Sequence, residues 1–481
     1  MERIYKKTGK IKFMSMVGCF VTLGAKKLLL FSKGANCMEW DSLLRPFRLG
    51  CPKELGQPDP NRNEFQRDFD RIIFSTAFRR LHGKTQVFPL PDSDVTHTRL
   101  THSLECASVG RSLGIFVENE LKKKYKGFKG SHLGDIVSAA CLAHDIGNPP
   151  LGHSGEKAIS EFFLSQRGQK IISELSPEEK ADFTDFQGNS MGFHVLTYSS
   201  PKMTEAKGGL CLTYPVLASF VKYPRASLIK KGEKDLVSEE KPGILKIDIA
   251  TYTEIANELG IPLKKENDRW YRHPLAFLTE AADDICYGIM DLEDGYKYNL
   301  LDYNTVSKLM TAICNADSGD TQINDLKNII DKKEKIGYLR AKAINSLIQQ
   351  VAKAFVKNEE DILKGEMENP LCDLIESRSI MKKIRNVSKS KIYAYKPVLQ
   401  VEAAGFQVLP GLLNTFLTAV IDSKKSSSKK VLQLIPEEYK GDSNTNLYEK
   451  IVLITSYVAG MTDTFAIDTY RNLRGISLPN Y

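Results

Sequence analysis

The sequence predicts a mainly α protein: a helical bundle with a helical C-terminal extension and at most one short hairpin. Three observations carry that expectation. Apolar residues recur at the three-to-four-residue interval of a helix along most of the chain. Strand-like runs are few and short, and no unit of about 20–50 residues repeats, which excludes a solenoid or propeller.

In "EFQRDFDRIIFSTAFRRL", Phe69, Ile72, Ile73, Phe78 and Leu81 keep helical spacing, so residues 64–81 are expected to be helical. "TRLTHSLECASVGRSLGIFVENELKKKY" continues in the same way and stops at a lysine run and Gly127. "GDIVSAACLAHDIG" reads as a helix ended by Gly147 and the Pro149–Pro150 pair. "SGEKAISEFFLSQ" restarts with a serine N-cap and an acidic first turn, and "LAFLTEAADDICYGIMDLEDGY" is a further helix. "GILKID" and "PLKKE" are the two strand signals, short enough for one hairpin. "DSKKSSSKK", residues 422–430, reads as a solvated loop whose charge needs no ligand.

At 481 residues the chain exceeds one minimal core, and 42% hydrophobic with 26% charged residues is an ordinary globular balance. The net charge of +8 suits an anionic substrate such as a phosphate ester but is too diffuse to indicate nucleic acid. Nine scattered cysteines without a CxxC pair read as reduced thiols and a cytoplasmic protein. The N-terminal apolar stretch is broken by Lys26 and Lys27 and is too short for a membrane span of roughly 18 residues. Met38 is the expected true start, with 1–37 an extension or a misplaced start, 38–310 the core and 311–481 the helical C-terminal region.

Chemistry concentrates in "CLAHDIGNPPLGHSGE", which holds His144, Asp145, His153 and Glu156 in a chain of only eight histidines. His102, His144, Asp145 and Asp283 all lie in apolar, helix-like segments. Imidazole and carboxylate together suit a divalent ion of intermediate hardness, Mn, Fe, Co, Ni or Zn, with Mg less natural. Four such ligands leave positions open for water or a phosphate oxygen, as a catalytic site requires. Any one of these histidines alone reads more simply as a satisfied core residue; the ordered set does not. His153 and Glu156 are three residues apart and face the same side of a helix start, so the carboxylate can orient the imidazole as an acid for a departing oxygen.

The blocks "HTRLTHSLE", "AHDIGNPPLGHSGE", "DFQGNS" and "EAADDICYGIMDLEDG" occur in that order. In this the chain resembles the HD-domain superfamily and, within it, the deoxyguanosine triphosphate triphosphohydrolase family. The likeness covers residues 40–300, and "YVAGMTDTFAIDTYRNLRG" resembles the family's closing segment. It implies an HD-domain helical bundle with a metal on His102, His144, Asp145 and Asp283, Mn2+ or Mg2+, with Fe, Co, Ni and Zn left open. It implies hydrolysis of dGTP, or of other dNTPs, to deoxynucleoside and tripolyphosphate through water attack on the α-phosphorus. It makes His153 and Glu156 a catalytic pair.

Asp283, Tyr287 and Asp291 stripe one helix face at intervals of four residues. The resemblance turns that stripe into a deoxyribose site, the tyrosine excluding a 2′-hydroxyl and Asp291 accepting from a sugar hydroxyl. It assigns the 3′-hydroxyl to Gln86 in "KTQVFPL" and the phosphates to Asn189 and Lys222. Arg99, one turn before His102, suits bidentate phosphate contact. Two positions depart from the family: Asn148 stands where many members have a second histidine against phosphate, and Leu151 replaces a usual aromatic. Asn148 can still bond a substrate oxygen, but it carries no charge. The resemblance also implies a homo-oligomer, often a hexamer, with residues lent between neighbours; nucleic acid enters only as a regulator, and no membrane is involved. The competing readings are an HD phosphohydrolase for nucleoside monophosphates or cyclic nucleotides, which leaves the sugar stripe unexplained, and a nucleotide-binding sensor, against which intact His153 and Glu156 count.

Overall fold

The computed structural model describes residues 37–51, 61–88, 97–128, 130–200, 207–228, 237–265, 268–316, 324–442 and 444–477. The expected extension over 1–37 lies outside them, Cys37 excepted. The protein is mainly α, and the described residues form one small antiparallel sheet of two strands. The helices that build and support the site are α1 (Arg99–Lys124), α2 (Leu133–Ala143), α3 (Gly152–Leu164), α4 (Gly188–Thr197), α5 (Pro274–Lys297), α6 (Lys396–Ile421), α7 (Leu447–Ala459) and α8 (Asp463–Leu473).

Local chemistry sets their ends. A reciprocal Thr98–Thr101 capping box starts α1, and Lys122, Lys123 and Lys124 close it where the helix dipole favours cations. His273 caps α5, accepting from the Leu275 N–H at 3.2 Å, with Pro274 in the first turn where its missing N–H costs nothing.

Several sequence expectations are corrected. The helix expected over 64–81 is two, Glu64–Ile73 and Thr76–Arg80. The Ser75 hydroxyl donates to Ile72 O at 2.7 Å and accepts from Phe78 N–H at 3.1 Å, so it ends one helix and caps the next. α2 stops at Ala143, which puts His144 and Asp145 on the turns beyond it rather than inside a helix. α3 has no serine cap and no acidic first turn; it starts from left-handed Leu151 and Gly152, with φ of 63° and 60°. "PLKKE" does supply a strand, Leu263–Lys265, but its partner is Arg269–Trp270. "GILKID" makes only a bridge at Ile244 and then a 3-10 turn at Lys246–Asp248. The lysine–serine run at 422–430 turns helical at Ser426, since the apolar side chains of Val431 and Leu432 pack onto the core.

Two apolar clusters hold the chain. The first gathers α1, α2 and α5 through residues such as Leu113, Val137, Leu278 and Ile285, and continues to Val398. The second joins α3, α6, α7 and α8 through residues such as Phe163, Leu413, Phe416 and Ile454. Each such fully buried side chain contributes roughly 1.5–3 kcal/mol. α6 is long and apolar enough to cross a membrane, with a mean hydropathy of 1.5. Its Leu409, Leu412, Leu413, Phe416 and Leu417 are instead packed in the second cluster. The cleft described next opens at the seam between the clusters.

Candidate active site and metal centre

Three elements of the first cluster deliver one side chain each to a single point. His102 projects from α1, His144 from the turn after α2, and Asp283 from α5. His102 Nε2 lies 3.1 Å and His144 Nε2 3.6 Å from Asp283 Oδ1. The two imidazoles meet edge to face with centroids 5.2 Å apart. His144 Nδ1 bonds Cys141 O at 2.7 Å, and a carbonyl can only accept. The proton is therefore on Nδ1, and Nε2 turns its lone pair toward Asp283, the tautomer a metal needs. Burial would raise the Asp283 carboxyl, but His144 and His102 hold it below the usual carboxylate range. Burial would lower His144, yet Asp145 and Asp283 raise it above the ordinary imidazole value.

Asp145 differs from its three neighbours. Its Oδ1 accepts from Arg99 Nη1 at 2.8 Å and from Asn148 Nδ2, while Oδ2 is buried with no hydrogen-bond partner. Burial would raise this carboxyl too; Arg99, then His144, keeps it below its usual range. The atoms within 4.8 Å of one another belong to His102, His144, Asp283 and Cys106, a thiol one turn beyond His102 that sequence reasoning missed. The donor set fits a divalent ion. Two imidazole nitrogens and a carboxylate converge, and the buried Oδ2 of Asp145 is left without a hydrogen-bond partner. Without an ion, burial pushes the Cys106 thiol well up.

His153 and Glu156 lie beside this group. His153 Nδ1 is 2.9 Å from Glu156 Oε2, and the Gly188 N–H at the start of α4 donates to Glu156 Oε1 at 2.6 Å. The carboxylate is buried, at 9% exposure, while the imidazole is 71% exposed toward the cleft. Burial would raise Glu156, but the His153 hydrogen bond and charge and the Gly188 N–H hold it low. This close approach depends on glycines. A Cβ on Gly188 would lie 2.0 Å from Asn148 Oδ1, and one on Gly147 would lie 2.0 Å from Gly192 N.

The cleft has a volume of about 370 Å³, within the range of small-ligand sites. Gln86, Arg99, Asn148, Asn189, Lys222 and Tyr287 all line it together with the metal group and the His153–Glu156 pair. Gln86 Oε1 is buried without a partner. Two expected phosphate cations are already engaged, Arg99 with Asp145 and Lys222 with Glu280 Oε1 at 3.2 Å. Asp291 is not in the lining; the Tyr393 hydroxyl donates to its carboxylate, and burial pushes that carboxyl up to about 7.

Residues 99–189 match the HD domain family. The chain is 41% identical to a deoxyguanosinetriphosphate triphosphohydrolase-like protein of Synechocystis sp., over 92% of this chain and 100% of the relative. A like-named protein of Pseudomonas aeruginosa is 38% identical over the same shares. A deoxyguanosinetriphosphate triphosphohydrolase of Yersinia enterocolitica is 28% identical over 90% of this chain and 97% of the relative. The chain belongs to the deoxyguanosinetriphosphate triphosphohydrolase family. As a family member it is an HD-domain hydrolase, and its helical architecture agrees with that fold.

Within this family frame the structure adds residues that the motifs did not name. Tyr393, whose ring centroid is 5.8 Å from that of Tyr287, follows a π-turn at Ser388–Ile392. Val398, Val401 and Glu402 from the start of α6, and Lys241, complete the lining. No local pattern marks Tyr393, because its partner Asp291 is 102 residues away. The π-turn is the kind of irregularity that accompanies functional positions, but it is invisible in sequence.

Proposed function

We propose that the protein hydrolyses dGTP, and other dNTPs, to the deoxynucleoside and inorganic tripolyphosphate. The supporting observation is the convergence of His102, His144 and Asp283 beside the His153–Glu156 pair in one cleft of nucleotide size. A divalent ion on His102, His144, Asp283 and Asp145 Oδ2 would supply Lewis acidity at the α-phosphate and lower the pKa of the attacking water.

The chain's own residues supply the rest. The water oxygen bonds to the α-phosphorus and the bond to O5′ breaks; the imidazolium of His153 gives its proton to O5′, and the proton the water releases passes to solvent, from which His153 is reprotonated. Glu156, buried and tied to Gly188, fixes the ring and stabilises the imidazolium. Asn148 and Asn189 donate amide hydrogens to phosphate oxygens. Lys241 supplies a positive charge at the Glu156 side of the cleft, which offsets the absence of a histidine at 148. Tyr287 packs on the sugar face where a 2′-hydroxyl would project. Gln86 uses its unpartnered Oε1 to accept from the 3′-hydroxyl.

The base end reads as guanine-selective. Val398 and Val401 offer apolar walls, and Glu402 offers a carboxylate. Guanine alone among the DNA bases presents two adjacent N–H donors, N1–H and the exocyclic amine, to such a group.

Incubation with each dNTP and with GTP, in Mn2+ or Mg2+, followed by ion-exchange separation and mass detection, tests this. Tripolyphosphate with deoxynucleoside, fastest from dGTP and slowest from GTP, is the expected outcome. Pyrophosphate with a monophosphate would refute it, and dNTP binding without turnover would make the protein a sensor.

A further inference from the structure

The sequence's closing segment reaches the cleft by a route that the motifs do not show. Asp463 opens α8, is 1% exposed, and is held in place by its own helix start, where Thr462 caps the Phe465 N–H. Its two carboxylate oxygens are divided between two segments that line the cleft. Oδ1 accepts from the Leu151 N–H at 3.0 Å, and Oδ2 accepts from the Thr85 N–H at 2.9 Å. Leu151 is the left-handed residue two positions before His153, and Thr85 immediately precedes Gln86.

A second buried group makes the parallel connection. The Lys84 ammonium donates to Asn148 O at 2.5 Å and to Ala459 O, the last residue of α7, at 2.7 Å. Lys84 O in turn accepts from the Arg99 N–H at 3.0 Å, and an isolated bridge pairs Thr85 with Thr98 at the start of α1. The corner between α7 and α8, bent by 113°, therefore grips the 84–86 segment and the 148–151 loop from behind. Neither group can reach a substrate, since both are buried and their polar atoms point at backbone.

We propose that Asp463 is a positioning residue for the reaction, setting the distance between Gln86 and the His153–Glu156 pair, with Lys84 as its partner in the same clamp. A carboxylate suits the task because it accepts at both oxygens, whereas an amide would turn a donor toward one of two N–H groups. Leu151 needs such an anchor, because a non-glycine residue at positive φ persists only where its surroundings enforce it. The inference rests on His153, Glu156 and Gln86 acting on the nucleotide as described above.

The test compares the full-length wild type with Asp463→Asn, Lys84→Met and the exposed control Asp468→Asn from the same helix. Asp463→Asn should lower kcat about 10–100-fold, the usual effect of losing a group that orients a reacting one. Its Mn2+ affinity by calorimetry should stay within about twofold, because His102, His144 and Asp283 hang on other elements. Amide hydrogen exchange should quicken in 84–88 and 148–156 while α2 and α5 keep wild-type protection, and Asp468→Asn should match the wild type throughout. Unchanged kcat and unchanged exchange in Asp463→Asn would overturn the proposal. If Asp463→Asn loses protection everywhere, Lys84→Met decides: loosening confined to the same two segments with reduced kcat supports the clamp, and global unfolding or wild-type behaviour refutes it. A wild type that makes no tripolyphosphate while the exchange pattern holds would sink the assigned reaction and leave the clamp standing.

Discussion

At one end of the cleft His102, His144 and Asp283 hold acceptor atoms within 4.8 Å of one another, and Asp145 Oδ2 lies buried with nothing to bond. At the other end Tyr287 and Tyr393 lie ring to ring, and the Tyr393 hydroxyl bonds the carboxylate of Asp291 behind the lining. The first arrangement gathers donors that could hold a cation, and they already converge. The second is complete by itself, and a ligand that used Asp291 would have to displace Tyr393 first. On the proposed function, the chemical end is preorganised and costs little at the moment of reaction, while use of Asp291 at the recognition end would first cost the Tyr393 hydrogen bond.

The largest effect should come from breaking the first end. His144→Ala or Asp283→Ala should abolish Mn2+ binding in calorimetry and lower kcat/KM by at least about a thousandfold, several kcal/mol of lost stabilisation. Full metal affinity in either variant would move the ion elsewhere, Cys106 being the group to examine next. His153→Ala should lower kcat by about 10²–10⁴ with metal affinity intact. Glu156→Gln should reduce kcat in the same sense, and the double variant should be little worse than His153→Ala, because the pair acts as one unit.

α5 carries residues of both ends, so its cap affects them together. His273 is fully buried, and burial lowers its imidazole to about 4. A depressed histidine leaves the native state with fewer protons than the unfolded chain, so stability is complete above about 6.5 and falls as pH drops toward about 4. Linkage puts the loss on the order of 3 kcal/mol. Urea titrations across that window should show wild type losing stability relative to His273→Asn, which keeps a capping oxygen and cannot titrate. Parallel curves for the two proteins would mean that His273 is not what makes the fold acid-sensitive.

The recognition end should give smaller changes. Tyr287→Ala should reduce the dGTP-to-GTP ratio of kcat/KM by about 10–100-fold, mostly through faster GTP hydrolysis. Tyr393→Phe should lower KM for dGTP by a few fold, about 1 kcal/mol for one displaced hydrogen bond, and leave kcat near wild type. A raised KM would instead show that Tyr393 holds the nucleotide rather than blocking it.

How far each part could be read from sequence follows the same division. The metal end was only partly a local pattern: His144 and Asp145 are adjacent and His153 and Glu156 share one turn, but His102 and Asp283, 181 residues apart, were joined through the family resemblance. Helical periodicity, which is local, gave most of the α architecture. The termination of α2 before His144 was not legible, since the apolar pattern of this segment runs on to Ile146, past the last helical residue. Nor were Tyr393 on Asp291, Glu402 in the lining, or Asp463 on Leu151 and Thr85, each of them a contact between distant segments. The segment holding Asp463 stood out as a family resemblance, but only the fold shows what its carboxylate touches.

The central claim is that the preorganised end directs water to the α-phosphorus. Turnover of dGTP in H2(18)O, followed by mass analysis of both products, reads this directly. The account predicts one 18O in the tripolyphosphate and none in the deoxyguanosine, whose O5′ is retained from the substrate. Label in the deoxyguanosine would mean attack at C5′, and label in pyrophosphate or orthophosphate would mean cleavage at a different phosphorus; either result contradicts the account.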